Sequence, residues 1–148
     1  GGKTYAIGKI GDIFSMRNID YNFTGTDLDL MAQLKKQIDS AEDGSLIFAN
    51  FVEFDSLFGH RRDPTGYAKA LEWFDNEIAS VVRNLLEDDL LIITADHGND
   101  PTWAGTDHTR EQVPVLLKGK ADLIQSGIEF RDVAKLASKH LGVAIPNP

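Results

Sequence analysis

The chain has 148 residues, 42% of them hydrophobic, which is the size and apolar content of one domain with its own core. A net charge of -8 excludes a broad electrostatic footprint for nucleic acid or an anionic membrane surface, and the lack of cysteine excludes disulfides and thiolate metal sites. No apolar run approaches the roughly 20 residues of a membrane span, and there is no signal-peptide pattern.

Short β-rich runs alternate with longer stretches of helical period. "TYAIGKI" (4–10) reads as the first strand, ending near Lys9, which stands between two glycines. Thr26 can cap a helix in which Leu30, Leu34 and Ile38 recur every four residues, with Asp29 favouring the positive helix end. "SLIFANFV" (45–52) and "DLLIITA" (89–95) are nearly continuous apolar runs, the pattern of strands covered on both faces. Between them, from Tyr67, Leu71, Phe74, Ile78, Val81 and Leu85 alternate steps of four and three, which predicts a helix with one buried stripe. "VPVLL" (113–117) reads as a last strand. A final helix carries Phe130, Val133, Ala137 and Leu141 on one side and stops at Gly142. The alternation predicts an α/β fold, a single domain over residues 1–148 with a mostly parallel sheet and helices on both faces.

Ligands of such sheets bind beyond the carboxyl ends of the strands. "NFVEFD" ends the second strand at Asp55 and "IITAD" the third at Asp96, so both carboxylates are expected at the same edge of one sheet. Asp55 and His60 flank "SLFG"; Asp96 and His97 are adjacent; His108 follows in a glycine-bearing loop. Carboxylate oxygen with neutral imidazole nitrogen suits Mn²⁺ or Zn²⁺ better than an ion that prefers an all-oxygen shell. Asp96 and His97 can share an ion only where the chain is already turning, and Gly98 permits that turn. Asp107 reads as a turn residue, with support of a ligating histidine as the other reading. His140, near a helix C-terminus, suits the helix dipole and stays outside the site. Lys9, Arg61, Arg62 and Arg110 gather on the same segments and suggest an anionic substrate group such as phosphate. Trp73 and Trp103 read as packing residues.

The stretches "NFVEFDSLFGHRRDPTGYAKALEWFD" and "LLIITADHGNDPTWAGTDHTREQVPVLL", with "GKIGDIF" near the start, resemble phosphopentomutases of the alkaline phosphatase superfamily over nearly the whole chain. "ADHGN" alone is shared with cofactor-independent phosphoglycerate mutases, whereas "FDSLFGHRRD" and "GTDHTRE" point to phosphopentomutase. The resemblance implies a cytoplasmic isomerase of nucleoside catabolism with two Mn²⁺ ions. It would interconvert ribose or deoxyribose 1-phosphate and 5-phosphate through a phosphothreonine. By the same resemblance Asp55, His60 and His108 would hold one ion and Asp96 and His97 the other, and Lys9 would contact the substrate phosphate. The family's nucleophilic threonine, one further aspartate ligand and its cap domain match nothing here, so the chain is expected to be the C-terminal part of a larger catalytic core. Its partners would then be a pentose phosphate and the remaining regions of that enzyme. Three readings stay open: a phosphopentomutase, another phosphatase or phosphoglycerate mutase of the superfamily, or a metal-binding piece inactive by itself. An excised piece would expose a strand edge and is expected to self-associate.

Overall fold

Three short apolar strands with helix-forming sequence between them have one economical arrangement, a parallel sheet with a helix laid across it. The computed structural model, which describes residues 2–119 and 128–145, has this arrangement in its first third. Strand β1 (Thr4–Ile7) lies between β2 (Tyr21–Phe23) and β3 (Leu46–Ala49), parallel to both, with Ala6 paired to Asn22 on one side and Phe48 on the other. Between β1 and β2 runs a one-turn helix, α1 (Ile10–Ile13). Helix α2 (Asp27–Ser40) crosses from β2 to β3 and packs against β1 and β3.

Its start follows the chemistry of its first turn. The Thr26 hydroxyl accepts from the Asp29 N–H, and the Asp29 carboxylate accepts from the Thr26 N–H in return, a reciprocal cap. Leu30, Met31 and Leu34 then face the sheet and meet Ile7 and Val81 in the buried core, with Phe23, Ile38, Ile47 and Ala49 against it. Burying each such side chain contributes about 1.5–3 kcal/mol.

Beyond β3 come a π-helical turn (Phe54–Gly59), helix α3 (Pro64–Asn84), strands β4 (Leu90–Thr94) and β5 (Val115–Gly119), and helix α4 (Phe130–Leu141). Helix α3 begins with Pro64 in its first turn and the Asp63 carboxylate accepting from Gly66 N–H, and it packs on α2. Val81 is its buried member, while Phe74, Ile78 and Trp73 line the core beside it. Helix α4 ends on Gly142 at φ 65, the left-handed geometry that a stop glycine supplies. Among the described residues no helix is long and apolar enough to cross a membrane.

Several expectations need correction. β4 and β5 pair antiparallel in a sheet of their own, so the strands before Asp55 and Asp96 do not share one sheet. β3 stops at Ala49 and β4 at Thr94, short of the aspartates expected to end them. β3 is not covered on both faces either. Its Ile47 and Ala49 face α2, while Leu46 and Phe48 point the other way and stay exposed, with Phe14 at the end of α1 leaning on Phe48. Leu71 and Phe130, assigned to buried stripes, are 50% and 63% exposed. β2 and α1 are not legible in the sequence, because three or four residues cannot display a period.

A carboxylate clasp ties α2 to the segment that leads into the π-helical turn. Buried Asp27 accepts from the N–H groups of Val52 (3.1 Å) and Glu53 (3.2 Å), and its own N–H donates to the Glu53 carboxylate (3.3 Å). Burial pushes the Asp27 pKa up to about 6, outweighing the amide donors that favour its charged form. The folded state therefore holds this proton more tightly than an unfolded aspartate near 3.8. Its stabilisation is complete below that value and is lost as pH rises through about 6. Asp27→Asn should flatten the dependence of unfolding free energy on pH across that window, and should leave one N–H of the clasp without its acceptor, at about 1–3 kcal/mol. Denaturant titrations at several pH values would show it; a slope identical to wild type would reject the assignment.

Candidate metal centre

A spacing of five residues between Asp55 and His60 does not bring two side chains together on an α-helix, where neighbours lie three or four apart. The π-helical turn solves this. Its i→i+5 hydrogen bond runs from His60 N–H to the Asp55 carbonyl (2.9 Å) and stacks the two residues. The His60 Nε2 lies 3.2 Å from Asp55 Oδ2.

The third member arrives from the loop between β4 and β5. His108 Nε2 sits 3.3 Å from Asp55 Oδ1 and 3.1 Å from His60 Nε2. The potential ligand atoms of Asp55, His60 and His108 all fall within 4.8 Å of one another, and these residues form the one such group among the described residues. That loop is folded on itself. Gly98 and Thr109 bridge antiparallel through Thr109 N–H to the Gly98 carbonyl (3.1 Å), and Asp100 N–H donates to the Thr109 hydroxyl (2.6 Å). Asp100 in turn accepts from the hydroxyl (2.7 Å) and N–H (2.8 Å) of Thr102, which hold its carboxyl below the usual range.

Two residues that the sequence did not mark as part of the site complete it. Asn99, buried, donates from Nδ2 to Asp55 Oδ1 (2.6 Å). Gly59, also buried, makes room for it: a Cβ there would lie 2.5 Å from Asn99 Nδ2 and 2.7 Å from its Cγ. Nothing in the sequence alone ties Asn99 to a carboxylate 44 positions away.

Asp96 and His97 flank this group and are not members of it. The His97 ring stacks on His108 with centroids 3.7 Å apart, while the Asp96 side chain is 80% exposed and 3.7 Å from His97 Nε2. Lys9 caps α1 instead of ending a strand. It lines a shallow cavity of about 210 Å³ with Gly8, Asp12, Thr24 and Gly25 at the carboxyl ends of β1 and β2. Arg61 and Arg110 are exposed. Arg62, grouped with them as an anion contact, turns its guanidinium inward onto Asn99 Oδ1 (2.6 Å) and the carbonyls of Gly59 (3.1 Å), Asp100 (2.9 Å), Asp107 (2.6 Å) and Gly105. Asp107 serves that loop through its carbonyl. Trp103 is 64% exposed and does not pack, whereas Trp73 does. His140 lies in the last turn of α4, as expected.

A match to the family model described as Metalloenzyme superfamily extends over residues 2–144. The chain belongs to the metalloenzyme superfamily. It is 46% identical over 147 residues to the phosphopentomutase of Actinobacillus succinogenes, covering 97% of this chain and 37% of that protein. It is 47% identical over 152 residues to that of Sinorhizobium fredii, covering 100% and 37%, and 46% identical to that of Chromohalobacter salexigens, covering 97% and 36%. The chain thus spans little more than a third of the length of these relatives.

The donor set fits the metal use that the superfamily name implies. His60 Nδ1 lies 2.5 Å from the Thr106 carbonyl, which can only accept, so Nδ1 carries a proton and the neutral ring presents its lone pair at Nε2. A second imidazole Nε2 and a carboxylate oxygen face that lone pair at 3.1 and 3.2 Å. A divalent cation satisfies all of these donors at once. Gly59→Ala should displace Asn99 and cost about 1–3 kcal/mol of stability by overpacking. Thermal unfolding of the purified variant measures this, and an unchanged midpoint would show that the contact is not tight.

Proposed function

We propose that the chain forms part of the phosphoryl-transfer core of a Mn²⁺-dependent phosphopentomutase, an isomerase that interconverts ribose or deoxyribose 1-phosphate and 5-phosphate. The observation that carries this reading is the convergence of Asp55, His60 and His108 in a chain 46–47% identical to phosphopentomutases. In this reading those three residues hold one Mn²⁺. Asp96 and His97 belong to a second, with a further aspartate from outside the 148 residues. The stacking of His97 on His108 supports neighbouring sites. Such a pair of ions supplies charge neutralisation for the attacking and leaving oxygens of an in-line transfer.

The chain's own residues have separate tasks. Asp55 contributes charge, and the imidazoles contribute lone pairs fixed in direction; His60 is held in its ligating tautomer by the Thr106 carbonyl. Lys9, Arg61 and Arg110 meet the substrate phosphate, the first from the mouth of its cavity and the others from the exposed rim of the two site segments. The threonine that carries the phosphoryl group lies outside this chain, so the chain alone should bind Mn²⁺ without turning over pentose phosphates. The enzyme acts in the cytoplasm.

Calorimetric titration with Mn²⁺ tests the centre. One ion per chain, lost in His60→Ala, is the expected result; uptake unaffected by that substitution would place the ion elsewhere. Activity tests the substrate. In the full-length enzyme Asp96→Asn should lower kcat on pentose phosphates by at least about 100-fold, the scale of losing one charge-stabilising group. Preference for phosphoglycerate over pentose phosphates would overturn the assignment.

A further inference from the structure

The geometry points to Arg62 as a positioning residue for the metal ligand Asp55, acting through the side-chain amide of Asn99. This inference rests on the reading that Asp55, His60 and His108 hold a divalent ion. It assigns the arginine an inward task in place of contact with substrate.

A guanidinium can only donate. With Arg62 Nη1 2.6 Å from Asn99 Oδ1, that atom must be the amide oxygen, so the amide nitrogen necessarily faces Asp55 Oδ1 at 2.6 Å. Asn99 therefore has one orientation, and its N–H is polarised by the cation behind it. The bond falls on one carboxylate oxygen only. Oδ1 is occupied by the amide and approached by His108, whereas Oδ2 faces His60. This fixes the rotation of the carboxylate about its Cβ–Cγ bond, which an ion would otherwise have to select at an entropic cost.

The same arginine anchors both segments that supply ligands. Gly59, whose carbonyl accepts from Nη1, immediately precedes His60; Asp107, whose carbonyl accepts from Nη2, immediately precedes His108. Arg62 itself adopts φ 53, a left-handed conformation that a residue with a side chain enters at a cost, and this directs its side chain back across the turn. A lysine could match the charge, but not a planar fork reaching Asn99, Gly59, Asp100, Gly105 and Asp107 together.

A double-substitution cycle on Mn²⁺ affinity decides it, read by calorimetry on this chain. Asn99→Ala should weaken binding about 10- to 100-fold, the range for removing an outer partner of a ligand. It leaves Arg62 its carbonyl partners, so the loop stays folded. Arg62→Ala should weaken binding comparably, and the double variant should bind no worse than the weaker single one, because the two act in series. If Arg62→Ala does not melt cooperatively, Arg62→Lys replaces it in the cycle. Losses that multiply would mean that Arg62 does not act through Asn99, and wild-type affinity in Asn99→Ala would mean that Asp55 needs no orienting partner; either overturns the inference while leaving the metal reading intact. A wild-type chain that takes up no Mn²⁺ overturns both.

Discussion

Two imidazole nitrogens 3.1 Å apart, each within 3.3 Å of the same carboxylate, are the constraint on which the rest of this structure turns. At that separation unprotonated nitrogens would direct lone pairs at one another and at a negative charge, an arrangement that a cation among them would satisfy. Here the backbone enforces it from two sides: the π-helical turn stacks Asp55 and His60, and the Gly98–Thr109 bridge returns the loop so that His108 faces them.

That placement gives the centre a mechanical meaning. The fully buried side chains of the main cluster come from β1, α2 and α3, whereas β4, β5 and α4 contribute no fully buried residue. Asp55 and His60 leave the well-packed part, and His108 comes from the loop of the less buried sheet. An ion held by all three would cross-link the two parts, and its binding energy would count as folding energy for the second. The Asp27 clasp serves the same end from inside the core, since it fixes Val52 and Glu53 directly ahead of the turn that carries Asp55.

How much of this could be read from the sequence follows from the range of each interaction. Helix α2 was readable because its cap and its buried positions lie within 14 residues, and the stop of α4 because Gly142 is local to it. The candidates Asp55, His60, Asp96, His97 and His108 were readable through residue type, as the absence of cysteine leaves histidine and carboxylate, while the grouping of Asp55 with His60 and His108 was implied by likeness to a known family. Sheet membership was not, since an apolar run such as "LLIIT" does not specify whether its neighbour is parallel or antiparallel. Nor was the π-helical turn, which differs from an α-turn only in which carbonyl His60 N–H reaches. Asn99 and Gly59 escaped for a related reason: their importance lies in a contact between segments 40 residues apart in the chain, and neither is unusual in its own neighbourhood.

The treatment of charge links these levels. A chain with 23 acidic and 15 basic side chains is a poor host for a phosphate ester, and a first reading assigns every arginine near the site to that task. Arg62 shows why proximity is insufficient. Its donors are aimed at five acceptors of the protein itself, and a phosphate could recruit them only by breaking the loop that presents His108. A guanidinium bound to neutral carbonyls keeps its full charge, however, and Arg62 remains positive near Asp100, whose carboxyl it helps to hold below the usual range after the Thr102 hydrogen bonds. It does so while joining the two segments that carry His60 and His108. Arginine suits this use because it does not titrate in the physiological range, so its hold on these five acceptors does not depend on pH there.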